Sequence, residues 1–340
     1  MPTERLKAEG TTAAAGIVRA ADLLRMGGTV AFPTETVYGL GANALDAAAV
    51  AKIFEAKERP GWDPLIVHIA DDAMLQRVAA IPDELQEKVN ALAAAFWPGP
   101  LTILLPRTAE VPDAVTAGRP LVGVRMPGHP VAAELIRHAG LPVAAPSANR
   151  FGRPSPTTAA HVLADLDGRI DAVLDGGQAN VGVESTVFDL AARAIYRPGA
   201  VSAAMISRVI GDEVRVVAVE NRSSGAPQSL PSPGMGIRHY APAAQMVLVA
   251  DQRELLAEVA KYPPAEVGVM LPDGWDRGAA EMTFRWGPWN SADILARLLY
   301  FGFRLLDQRG VKVIVCPVPT ADGPLGDAIR ERLEKAARTE

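Results

Sequence analysis

Residues 32–43 read F-P-T-E-T-V-Y-G-L-G-A-N, and the helix-patterned stretch that follows runs into K-E-R-P-G-W-D-P-L-I-V-H. An apolar run (Thr29 to Phe32) thus empties into hydroxyls and glycines, and the next helix ends on Lys57 and Arg59, with His68 beyond. Hydroxyls, permissive backbone and cations gathered at strand and helix ends are the residue set of a phosphate or carboxylate site. If the strand continues, Thr34 and Thr36 share a face and present two hydroxyls, with the Tyr38 ring beside them. A turn-rich strand end explains the same residues without a ligand. Lys57 and Arg59 follow the apolar face Val50, Ile53, Phe54, and Pro60 stops the helix. Cations so placed either cap the helix dipole or meet an anion.

Two later segments carry related chemistry. In L-V-G-V-R-M-P-G-H-P, Arg125 alternates in phase with Leu121 and Gly123, and an arginine on a face of small and apolar residues normally needs an anion. In A-P-S-A-N-R-F-G-R-P-S-P-T-T, a short β run opens into Ser147, Asn149, Gly152 and Ser155. Such a loop either wraps phosphate oxygens or is a Ser/Pro turn before a helix capped by Thr157 or Thr158. His68 alternates with apolar neighbours in L-I-V-H-I-A, so a satisfied core histidine is its alternative reading. His129, His138 and His161 lack partners at ligand spacing and read as structural, Trp97 as a packing anchor, and Asp71-Asp72 as a helix start. G-x-x-x-x-G-K-[ST] and H-E-x-x-H are absent, and G-L-G-A-N-A matches the dinucleotide fingerprint only weakly, separated from its strand by polar residues.

The elements that must hold these residues follow from periodicity. Apolar β-type runs recur at 29–33, 64–70, 101–106, 121–126, 142–146, 172–175, 185–190 and 194–197, with helical patterns over 13–26, 46–57 and 82–96. That mixture predicts one α/β domain over 1–212. Half of residues 221–242 are Pro, Gly or Ser, which predicts a linker over 213–244. From 245 to 340 the pattern alternates as strand, helix, strand, helix, strand, a small α/β domain with a parallel sheet. The 340 residues carry a net charge of −5 and one cysteine, Cys316, in an apolar run. Disulfides and Cys-based metal sites are excluded, and a general nucleic-acid binder is disfavoured. Five arginines (119, 125, 137, 150, 153) against one acid between 119 and 161 make the basic charge local, which suits a small anionic ligand such as a nucleotide. No apolar run is long enough to span a bilayer and the N-terminal residues lack a signal-peptide core, so a cytoplasmic protein is expected.

In this order, P-T-E-T-V-Y-G-L-G, K-x-R-P-x-x-x-P-L-I-V-H, W-P-G-P-L-T, V-R-M-P, P-S-A-N-x-x-G-x-P-S-P-T, E-S-T-V-x-D and R-P-G resemble the YrdC-like threonylcarbamoyl-AMP synthases. The likeness covers residues ~15–200, and the chain beyond, with S-P-G-M-G-I-R-H-Y-A-P, is similar to the longer two-domain members. The resemblance implies a twisted mixed sheet with an open basic cleft, plus a small Rossmann-like C-terminal domain. It implies that L-threonine, bicarbonate or CO2, and ATP (with its Mg2+) give threonylcarbamoyl-AMP and pyrophosphate. The product passes to a threonylcarbamoyl transferase that modifies the tRNA adenosine next to the anticodon; strong direct tRNA binding is not expected. Residue by residue, the threonine site falls on Thr36, His68, Arg125, Ala145 (through its backbone) and Ser185. The ATP site falls on Arg59, Asp63, Leu121, Ser147, Asn149, Ser155, Arg197 and Tyr240, with Lys57 and Arg59 as the catalytic cations and no resident metal. Asp63 and Leu121 depart from the amide or imidazole and the threonine usual there, which puts side-chain bonds to ATP in doubt at both. Arg238, His239 and Tyr240 lie in a stretch read as a candidate lid over the nucleotide. An RNA-binding module is the reading from another class. Carbamoyl transfer in metallocentre maturation would bring Cys-rich zinc motifs, which one cysteine removes.

Overall fold

The protein is seen in a computed structural model that describes residues 2–8, 10, 13–217 and 239–338. It separates into two compact units: Met1–Phe151, Pro156–Ala179 and Glu184–Gly236 form the first, and Gly152–Ser155, Asn180–Val183 and Ile237–Glu340 the second. Of the expected linker, residues 218–238, Arg238 among them, lie outside the described residues.

The first unit runs β1 (Glu4–Lys7), α1 (Ala13–Arg25), β2 (Val30–Pro33), β3 (Tyr38–Asn43), α2 (Ala47–Lys57), β4 (Ile66–His68), α3 (Asp72–Val78), α4 (Asp83–Phe96), β5 (Leu101–Pro106) and α5 (Asp113–Thr116). It continues with β6 (Leu121–Arg125), α6 (Pro130–Ala139), β7 (Val143–Ala144), α7 (Ala159–Leu166), β8 (Ala172–Asp175), β9 (Thr186–Asp189), β10 (Ala194–Arg197), α8 (Ala203–Ile210) and β11 (Arg215–Val216). The strands make one mixed sheet in the order β1-β8-β2-β3-β7-β4-β6-β5-β9-β10-β11. Local chemistry sets the helix ends: Asp46 accepts from the N–H groups of Ala48 and Ala49 to start α2, Glu58 in the left-handed region (φ 55°) ends it, and Asp71 and Thr158 cap α3 and α7. On α1, Ile17, Ala20, Ala21 and Leu24 form the buried stripe of an amphipathic helix.

Glycine decides the region after β2, read from the sequence as a turn-rich strand end. Residues 38–43 are instead strand β3, antiparallel to β2 with Ala31 opposite Leu40. A Cβ on Gly41 would lie 2.7 Å from both the Phe32 ring and Val143, so glycine is needed there for packing between strands. The G-x-G is a sheet feature.

Strand alternation divides the middle of the sheet into two faces. Val67, Ile103, Val122, Val124 and Phe188 join the main core. Ile66, Leu104 and Val187 form a separate small cluster with Leu121 and Tyr196. His68 and Arg125 stand in register on neighbouring β4 and β6, His68 two residues along its strand from Ile66 and Arg125 four from Leu121, so both fall in phase with that second face.

The second unit runs β12 (Gln245–Val249), α9 (Gln252–Val259), β13 (Val267–Pro272), β14 (Met282–Gly287), α10 (Ala292–Gln308), β15 (Val313–Pro317) and α11 (Pro324–Ala337). Its strands are all parallel, in the order β12-β15-β13-β14. The fold class is α/β throughout, with Cys316 buried in β15. Periodicity did not reveal β14 or α11.

Candidate active site

The sharp turn after β2 sets the first part of the site. The Thr34 N–H and hydroxyl both donate to the Val37 carbonyl (3.2 and 2.7 Å), and the Thr34 and Thr36 hydroxyls meet at 2.8 Å. The two threonines therefore do act together. Arg125, buried at the end of β6, donates from Nη1 to Thr36 Oγ1 (3.0 Å) and from Nε to the Gly99 carbonyl (3.1 Å). Gly99 is held in turn by the W-P-G-P segment, where its N–H reaches the Met126 carbonyl and Trp97 Nε1 reaches that of Leu101. Arg125 Nη2 lies 2.5 Å from Glu35 Oε1, an ion pair by distance whose angles fall outside hydrogen-bond geometry.

His68 sits beside Arg125 with its ring edge-on to Phe32 at 6.1 Å. Burial, reinforced by the Arg125 charge, depresses its pKa to about 3, so it is a neutral imidazole at working pH. Its Nδ1 is buried and makes no hydrogen bond to a described residue, and the same is true of Arg125 Nη2. Ala145 comes alongside through its N–H, which donates to the Ile66 carbonyl. Ser185 enters from the start of β9: its hydroxyl lies 2.8 Å from Thr102 Oγ1 on β5. Arg197 donates to the Ser185 hydroxyl and carbonyl, both at 3.0 Å. A Cβ on Gly199 would come within 2.8 Å of the Ser185 carbonyl carbon, which explains the glycine of R-P-G. Thr36, His68, Arg125, Ala145 and Ser185 are thus linked through one set of neighbouring strands.

The cations behave differently from ordinary helix-end residues. Lys57 is 1% exposed, and its ammonium donates to the carbonyls of Ser147 and Asn149, each at 2.5 Å. Arg59 is buried too: it donates to the Asp63 and Pro64 carbonyls and pairs with the Asp63 carboxylate at 3.0 Å. Neither cation is therefore a solvent-exposed helix cap. The reason is the helix end itself, since the left-handed Glu58 and Pro60 fold the chain back so that both side chains close on loop carbonyls. Asp63 supplies Arg59 with a counter-charge, and the Leu121 side chain packs in the small apolar cluster. The Asn149 amide donates to the Arg150 carbonyl (2.7 Å), and Ser147 bridges to Gly39. In the second unit, Ser155 and Tyr240 are both buried, and the Ala241 N–H donates to the Gly152 carbonyl (2.8 Å), bringing their two segments together.

Sequence reasoning missed Glu35, Thr102 and Gly99 as members of the site. Glu35 was visible only as the middle of P-T-E-T, and Thr102 only as its position in phase with Leu104 on an apolar strand. No group of His, Cys, Asp or Glu suited to a metal ion occurs among the described residues.

A family model described as "Telomere recombination" matches residues 22–199, and one described as "Threonylcarbamoyl-AMP synthase, C-terminal domain" matches 201–338. The threonylcarbamoyl-AMP synthase of Pyrococcus abyssi is 44% identical over 94% of this chain and 93% of its own length. The chain belongs to the threonylcarbamoyl-AMP synthase family. The Bacillus subtilis threonylcarbamoyl-AMP synthase is 43% identical over 94% of this chain and 92% of its own. The crystal structure of P. abyssi Sua5 complexed with L-threonine superposes with a TM-score of 0.87 at 41% identity, covering 99% of this chain and 98% of that one. Family membership spans both units and makes this chain an enzyme of the nucleotidyltransferase type. No helix among the described residues is long and apolar enough to cross a membrane.

Proposed function

We propose that the chain makes L-threonylcarbamoyladenylate, with the threonine carboxylate held by Arg125 and its polar groups by Thr36, His68, Ser185 and the Ala145 backbone. The observation that carries this reading is the pair of buried nitrogens, Arg125 Nη2 and His68 Nδ1, in register on adjacent strands: neither makes a hydrogen bond to a described residue, and Glu35 meets Arg125 Nη2 as an ion pair outside hydrogen-bond geometry. Buried polar atoms are nearly always satisfied, so an anionic, hydrogen-bonding ligand is the natural partner of such a pair. A neutral His68 adds no further charge; it serves as a hydrogen-bonding partner beside the cation.

The chemistry follows. The threonine amine adds to CO2, loses a proton and becomes an N-carboxylate. One carboxylate oxygen then forms a bond to the α-phosphorus of ATP as the bond to pyrophosphate breaks. The nucleophile is already anionic, so positioning and charge neutralisation matter more than a strong base. Lys57 and Arg59 supply the positive charge, and Ser147, Asn149 and Arg197 are the nucleotide-binding residues of the first unit; the resemblance also assigns Ser155 and Tyr240 to ATP. Mg2+ arrives on the triphosphate; Asp63, the carboxylate of this segment, is committed to Arg59. The adenylate passes in the cytoplasm to a threonylcarbamoyl transferase acting on tRNA.

The test is pyrophosphate release from ATP with threonine and bicarbonate each omitted in turn. Release that needs both supports the reading. An RNA-binding module would show none.

A further inference from the structure

The second unit holds two segments that carry assigned nucleotide residues, and it does so with buried charge. Tyr240 has φ 64°, a left-handed backbone that a bulky side chain adopts only where its surroundings impose it. Those surroundings are specific. The Tyr240 ring is 1% exposed, lies 5.7 Å from Tyr300 of α10, and is covered by the Arg332 guanidinium of α11 at 5.2 Å. Arg332 is fully buried, and Glu331 pairs with both it and Lys335. Burial raises the Glu331 carboxyl, but the two cations outweigh that and hold it below its ordinary value.

Helix α10 grips the neighbouring backbone. Asp307 accepts from the N–H groups of Ala243 (2.8 Å) and Ala244 (3.1 Å), and Arg304 donates to the carbonyl of Pro154, next to Ser155. A buried charged network is costly unless each member is engaged.

We propose that Arg332 is a positioning residue for ATP, fixing the Tyr240 ring by cation–π contact while Arg304 and Asp307 fix the backbone around Ser155 and Tyr240. This gives the C-terminal unit a role in nucleotide affinity, and it rests on the proposed placement of Tyr240 at the nucleotide.

The experiment measures KM for ATP, kcat and threonine affinity without ATP. It uses full-length wild type, Tyr240→Ala, Arg332→Met, Arg332→Lys and the double variant Tyr240→Ala/Arg332→Met. Arg332→Met is expected to raise KM for ATP by about tenfold, the loss of one desolvated cation–π contact. Threonine affinity should change by less than about twofold, and the double variant should match Tyr240→Ala alone, since the cation acts only through the ring. Arg332→Lys, which keeps the charge without the planar face, should fall between; it decides the matter if Arg332→Met does not fold. Effects of the two single substitutions that simply add, or an Arg332→Met protein that loses ATP and threonine affinity equally, would overturn the inference. If Tyr240→Ala leaves KM for ATP unchanged while pyrophosphate release persists, the inference falls and the reaction stands. Wild-type protein without release would instead overturn the reaction.

Discussion

Replacing Lys57 by Met separates a catalytic cation from a loop clasp. The side chain is buried, and its ammonium bonds two carbonyls, those of Ser147 and Asn149. Methionine keeps the length but leaves both carbonyl oxygens without that donor, at about 1–3 kcal/mol each. The apolar replacement offsets part of this, for a net loss of about 2–4 kcal/mol. In a unit of this size such a loss lowers Tm by roughly 5–15 °C. If Lys57 also neutralises charge developing on the phosphates, kcat of the folded fraction falls by a further factor of about 10²–10³. Differential scanning calorimetry gives the first quantity and pyrophosphate release the second. A large Tm drop with near-normal kcat would make Lys57 only the clasp of the Ser147–Asn149 loop and refute its catalytic role. An unchanged Tm would refute the structural argument.

Arg125→Lys is expected to raise the threonine requirement by about 10²-fold or more with a much smaller effect on ATP, because the forked contact to a carboxylate is lost; equal losses in titrations with each substrate would move Arg125 off the amino acid. The neutral His68 makes the unfolded chain the stronger proton binder between about pH 3 and pH 6.5. Stability is therefore fully present above pH 6.5 and falls as the pH drops toward 3, by up to about 1.4 kcal/mol per pH unit. Urea melts across this range should show His68→Gln losing less stability than wild type; parallel profiles would contradict the assignment. Gly199→Ala forces a Cβ against the Ser185 backbone, so it should destabilise the fold by about 1–3 kcal/mol and weaken threonine binding, as melts and calorimetric titration would show. A chain ended after residue 217 loses Tyr240 and α10, and it should still bind threonine weakly while making much less adenylate; full adenylate yield would leave the C-terminal unit no part in the reaction.

Much of the fold was legible because most strands are short apolar runs bounded by turn residues and the long helices carry one apolar stripe. Strand β3 was hidden because its inner positions are glycines, which carry no period. Strand β14, with Arg285 and Gly287 among its six residues, lacks the apolar run that marked the others, and in α11 the stripe Ala328, Ile329, Leu333, Ala336 is interrupted by the buried charges Arg332 and Lys335. In the site, residue types and motif order pointed to Arg125, His68 and Thr36. Burial was not legible. Nothing in K-E-R-P says that Glu58 turns left-handed and draws Lys57 and Arg59 onto loop carbonyls, and nothing in P-T-E-T says that Glu35 faces an arginine ninety residues away. Those contacts depend on the register between distant strands, which is set by the packing of the whole sheet.

The most direct measurement supplies the full-length protein with L-threonine, ATP, Mg2+ and 13C-bicarbonate and follows the products by mass spectrometry. Threonylcarbamoyl-AMP carrying one 13C in its carbamoyl carbon, formed with one pyrophosphate per adenylate, is the predicted result. Unlabelled adenylate, ADP and phosphate in place of AMP ester and pyrophosphate, or no turnover with all three substrates present, would contradict it.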